Sequence, residues 1–175
     1  MKTRRQITTF GALCLGLAFT IFAQRTPAQN APQPLPTKKV SMTQRAAGTF
    51  EVKLLPLTLN DKPEGDLRGR MSIDKQFKGD LEATTKGEML MTGTAVKGSA
   101  AYVALETVTG KLHGKSGSFA LLHQGIMTRG APSLTVTVVP DSGTGELAGL
   151  TGKLNIIIEN GKHSYEFDYS IEAKP

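Results

Sequence analysis

The chain has 175 residues, a formal charge of +6, one cysteine and no tryptophan. From Gly48 to the end, 14 Lys and Arg stand against 15 Asp and Glu, a net of −1. The folded part thus lacks the basic stripe and aromatic interleaving of a nucleic-acid binder, and no nucleic-acid partner is expected.

In chain order, residues 1–23 have the layout of a cleaved signal peptide. Lys2, Arg4 and Arg5 precede an apolar run of 14 residues from Phe10 to Ala23. That is short of the roughly 20 residues a membrane-spanning helix needs. Cleavage after Ala23, or less favourably after Ala28, would remove Cys14. The mature chain would begin between Gln24 and Gln29, lie outside the cytoplasm (periplasmic or secreted) and keep no integral membrane span. The competing reading is an uncleaved anchor. Residues 24–47, with four prolines and several glutamines, read as a disordered linker.

Residues 48–175 suit one domain. Apolar side chains recur at period two, the mark of strands with one buried face. Phe50, Val52 and Leu54 alternate with Glu51 and Lys53. Met71, Ile73, Lys75 and Phe77 oppose Ser72, Asp74 and Gln76. Two strands are placed near 81–91 and 99–109. Phe119, Leu121 and His123 share a face, as do Leu134, Val136 and Val138. Leu154, Ile156 and Ile158 form another set, and His163, Tyr165, Phe167, Tyr169 and Ile171 the last. Phe119, Leu121, Leu134, Val136, Ile156, Ile158, Phe167 and Tyr169 are the expected core. About eight strands, without a useful helix, give an all-β domain. A single antiparallel β-barrel removes the unpaired edges; a two-sheet sandwich fits the same counts, and strand order is not legible.

Turns are expected at Lys78-Gly79-Asp80, Lys97-Gly98, Lys115-Ser116-Gly117 and Glu159-Asn160-Gly161. Asn160-Gly161 is the clearest hairpin signal. The stretches LHGKSGSF (112–119) and LAGLTGKL (147–154) share L-x-G-x-[ST]-G. Neither has the spacing of a phosphate-binding loop or a following helix, so both read as similar corners in a sheet.

GSFALLHQG, VVPDSGTGELAGLTG and GKHSYEFDY carry a resemblance to the DUF3224 family of bacterial proteins, from about Gly48 to Tyr169. That family resembles the allene oxide cyclase-like β-barrels, so the resemblance implies an eight-stranded barrel. Cyclases of that broader class act on apolar lipid-derived epoxides inside the barrel. No cyclase catalytic residue maps onto a motif here.

The candidate chemistry centres on three residues. His123 follows Phe119 and Leu121 on one face and could serve as acid or base near neutral pH. Glu106 follows Tyr102 and Ala104; if that face looks inward, its charge needs a partner, either His123 or Arg129. Connected strands are often neighbours, which would bring Glu106 and His123 together. Catalytic candidates are thus His123, Glu106 and Arg129, and ligand-binding candidates Tyr102, Glu106 and His123. The ordinary alternative places Glu106 or His123 in solvent. His113, His163 and His123 show no metal-binding spacing, and neither metal nor cofactor is expected. Glu166 and Asp168 form a side-by-side carboxylate pair. Asp141-Ser142-Gly143 spells the aspartic-peptidase string but reads better as a turn cap. The leading expectation is an exported barrel that binds a small apolar or amphipathic ligand. The rivals are an enzyme using the interior groups, cyclase- or isomerase-like or an aspartic hydrolase, and a structural envelope module.

Overall fold

The computed structural model describes residues 42–172. The expected signal peptide, Cys14 and most of the expected linker lie outside the described residues. Eight strands run β1 (Gln44–Leu57), β2 (Arg68–Gly79), β3 (Leu81–Gly93), β4 (Ala100–Leu112), β5 (Lys115–Thr128), β6 (Ala131–Val138), β7 (Leu150–Glu159) and β8 (Lys162–Ile171). One short 3₁₀ turn, Gly145–Leu147, precedes β7. Each strand pairs antiparallel with the next, and β1 closes on β8, giving a closed barrel in sequence order. The fold is therefore the all-β, allene oxide cyclase-like barrel, and not the sandwich that fitted the same pattern.

Closure depends on β1. Its Gln44–Phe50 half pairs with β8 and its Gly48–Leu57 half with β2. The strand starts four residues inside the segment read as linker. The first four residues lack apolar alternation, yet Ala46 is fully buried and Arg45 holds Asp168. At the junction, a Cβ on Gly48 would fall 2.0 Å from the Lys78 carbonyl, so only glycine lets three strands meet there.

Asn160 and Gly161 both adopt positive φ, 51° and 74°, and turn β7 into β8. That pairing of signs is what a two-residue hairpin loop needs to match strand twist. His113-Gly114 and Arg129-Gly130 have the same signs. The first of these corrects an expectation. Lys115-Ser116-Gly117 is not a turn but the start of β5, and the chain reverses one step earlier. The two L-x-G-x-[ST]-G stretches are also dissimilar. One spans the β4–β5 hairpin; the other leads from the 3₁₀ turn into β7. They meet nonetheless, because Leu147 packs over Gly117.

The interior is zoned. One end is filled by Phe50, Phe77, Leu81, Leu112, Phe119, Leu147, Leu150, Tyr165, Phe167 and Tyr169. The rings interlock, with Phe50–Phe77 centroids 5.1 Å apart and Phe77–Tyr165 edge-on at 5.2 Å. The buried hydroxyls are used: Tyr165 Oη accepts from the Leu81 amide at 2.8 Å, and Tyr169 Oη lies 2.7 Å from His113 Nδ1. Towards the other end, Ile73, Met89 and Ala104 form a smaller cluster with Met71, Met91 and Tyr102. Of the expected core, Phe119, Leu121, Val136, Phe167 and Tyr169 are buried, and Ile156 is partly so. Leu134 (39% exposed) and Ile158 (63% exposed) are corrections. Ile158 is the penultimate residue of β7, and Leu134, in the middle of β6, faces inward beside Gly125 beyond the last filled layer.

Candidate functional site

Between the two clusters lie Lys75, Thr85, Glu106 and His123, the buried polar and charged side chains of the described residues. Backbone register puts them there. Ladder partners across β3, β4, β5 and β6 form inward-facing rows: Met91–Tyr102–Gly125–Leu134, then Met89–Ala104–His123–Val136, then Gly87–Glu106–Leu121–Val138. The Tyr102 face of β4 therefore looks inward, and His123 stands diagonally beside Glu106. Gly87 opposite Glu106 leaves room for the acid; a Cβ there would lie 2.8 Å from Glu106 Cγ. From β2, Lys75 pairs across to Thr85.

Glu106 is the hub. It is 1% exposed. The Lys75 ammonium donates to its Oε1, and Thr85 Oγ1 donates to its Oε2 at 2.7 Å. His123 Nε2 lies 2.7 Å from Oε1. That nitrogen is close enough for strong electrostatic attraction, but its geometry makes no aligned hydrogen bond, and it is a buried nitrogen left unpartnered in this sense. Burial works to raise the Glu106 pKa. The His123 contact and the Lys75 charge outweigh it and hold the carboxyl at about 2. Burial and the Glu106 charge together push the half-buried Tyr102 phenol up.

Above the centre, the mouth of the barrel holds a cleft of about 460 Å³. Its walls are Met91, Tyr102, Gly125 and Leu134, and beyond them Ala100 and Met127. His123 lies one ladder row beneath. A larger depression, about 890 Å³, lies against the outer wall over β2–β5. Its charged side chains are already paired, Arg70 with Glu88 and Lys86 with Asp74, so it offers less unspent chemistry than the mouth.

The family model described as "Protein of unknown function (DUF3224)" matches residues 46–169. The chain belongs to the DUF3224 family. A crystal structure of a DUF3224 protein with unknown function from Shewanella oneidensis MR-1, at 1.84 Å, is 51% identical with a TM-score of 0.72. It covers 76% of this chain and 100% of the other. No curated protein matches.

In this DUF3224 barrel, Glu106 and His123 come together, and Tyr102 lines the cleft above them. Arg129 does not join them. It occupies the exposed β5–β6 turn at φ 48°, with its amide on Ser99 Oγ. Lys75 takes the place expected for it. The signal for Lys75 was present: it stands between Ile73 and Phe77 in an inward alternation. Thr85 carried no comparable signal. His113 is at the aromatic end, His163 packs on Phe50 with centroids 5.1 Å apart, and neither approaches His123's partners. Glu166 and Asp168 lie partly exposed and are bridged by Arg45, at 3.5 and 2.6 Å. Asp141 is exposed in a turn at φ 59°.

Proposed function

We propose that this DUF3224 protein is an exported barrel that binds one small apolar or amphipathic molecule in its mouth. The observation that carries this reading is an apolar cleft set one row above a buried charged centre. Small-molecule sites are commonly apolar hollows of about 300–1,000 Å³ with a few converging polar groups. Methionines supply adaptable walls, and Tyr102 adds a polar handle to an apolar ring.

Catalysis by the same groups is the rival reading, and the state of Glu106 weighs against it. A general acid or base works best with a pKa near the working pH. A carboxyl held at about 2 remains a fixed anion, suited to orienting Lys75 and His123 rather than to shuttling protons. Aspartic hydrolysis is weaker still, since Asp141 stands exposed in a turn. A structural envelope role leaves the cleft without purpose.

Native mass spectrometry after mild purification, followed by solvent extraction, tests the proposal. The expected result is a bound small molecule released on extraction. Ala100→Trp, at an exposed position of the cleft wall, is expected to abolish that binding with the fold retained. An empty protein that also takes up no added apolar compound, or full occupancy in the Trp variant, would overturn it.

A further inference from the structure

We infer that the buried centre takes an uncharged carbonyl oxygen, carried on an apolar body that enters through the mouth. This rests on the ligand-binding reading above and adds the chemistry of the head group. Both oxygens of Glu106 are engaged, Oε1 by Lys75 and Oε2 by Thr85, with His123 Nε2 also 2.7 Å from Oε1. The unspent capacity is of the donor kind. An ammonium has three N–H groups; Lys75 makes one hydrogen bond, to Glu106, and otherwise lies 5.4 Å from the Phe50 ring centroid. His123 Nε2 faces Glu106 Oε1 at 2.7 Å without an aligned hydrogen bond, so the spare donors are the remaining N–H groups of Lys75. Spare donors call for an acceptor.

Charge decides which acceptor. Lys75 and Glu106 cancel, so with His123 as a neutral imidazole the centre carries no net charge before anything enters. A neutral carbonyl keeps it so. A carboxylate would add an uncompensated negative charge to an interior that solvates charge poorly, unless a proton came with it. The route is short. Tyr102 pairs with Gly125 in the row above, Ala104 pairs with His123 in the next, and Glu106 lies one row deeper. The Tyr102 ring lies over Gly125, where a Cβ would fall 2.0 Å from a ring carbon. Neither Glu106 nor His123 lines the cleft as it stands, so a head group reaches the centre only when the Tyr102 ring moves aside.

Acetophenone, benzoate and ethylbenzene share a ring and differ in head group, so their binding to the full chain tests the inference. Acetophenone is expected to bind about ten- to hundredfold more tightly than ethylbenzene, as one or two charge-assisted hydrogen bonds provide. Benzoate should bind more weakly than acetophenone at pH 8, with proton uptake seen as a buffer-dependent heat. The carbonyl ¹³C resonance of bound acetophenone should move downfield. The double variant Lys75→Met with Glu106→Leu removes both charges together, which spares the fold an unpaired ion. It should lose the acetophenone advantage and the shift while keeping ethylbenzene. Tight benzoate binding without proton uptake would overturn the inference, as would an unshifted carbonyl in the native protein, which needs no variant. Ethylbenzene bound by the native protein but not by Ala100→Trp, with no gain for acetophenone, would sink this inference alone. Failure of all three compounds to bind would sink the ligand-binding reading with it.

Discussion

Glu106 shows how one residue's surroundings set both stability and role. Its folded pKa, about 2, lies below the ordinary 4.5. Ionised Glu106 therefore stabilises the fold above pH 4.5, and that contribution drains away as pH falls through 2. At 1.36 kcal/mol per unit, the difference amounts to about 3 kcal/mol. Glu106→Gln should cost about 3–5 kcal/mol at neutral pH, because it leaves Lys75 buried without its anion. It should also flatten the loss of stability between pH 4.5 and 2. Urea unfolding of both proteins across that range measures the two effects; parallel acid limbs would show that Glu106 carries no such linkage. His123 at 3% exposure and Lys75 at 8% share the same buried environment.

Among the elements, β6 is the exception in the barrel. It meets β7 through a single ladder pair, Thr137↔Lys153, and pairs with β5 only from Leu121 onward. The following segment, 139–149, takes over along the rest of β5. Ser142 Oγ accepts from the Ala120 amide at 3.0 Å and donates to the Val139 carbonyl at 2.7 Å. Thr144 exchanges backbone and side-chain hydrogen bonds with Ser118. Glu146 accepts from the Ser116 amide at 2.8 Å. Leu147, 1% exposed, seals the patch over Gly117. The Asp141-Ser142-Gly143 string thus clamps a sheet edge that would otherwise expose unpaired amides. Leu147→Ala should destabilise by about 2–5 kcal/mol. Amide exchange should speed up first at Ser116–Ala120 and at the β6–β7 seam, with β2–β4 spared. A uniform loss of protection would show that the segment is no separate unit.

For the molecule as a whole, packing at one end frees the other. The interlocked aromatic end carries much of the apolar burial, and the methionine end is left for a cleft. No helix among the described residues is long and apolar enough to cross a membrane. The proposed export makes its own prediction. Intact-mass analysis of the natively expressed protein should find a chain beginning between Gln24 and Gln29, in the periplasm or medium. A cytosolic species retaining Met1 would end that proposal.

Period-two alternation determined six of the eight strands, and Asn160-Gly161 determined one turn, because side-chain direction and hairpin φ values are local properties. The inward turn of Glu106 was open, since Tyr102-Ala104-Glu106-Val108 and Val103-Leu105 are both plausible inner faces. Only closure of the barrel decided between them, leaving Val103 and Leu105 half-exposed outside. The same closure brought Lys75 to Glu106 across 31 residues of sequence and left Arg129 at a turn. Register across separate strands depends on every ladder fitting at once. No single stretch carries that information, so the partners of a buried charge emerge only when the sheet is complete.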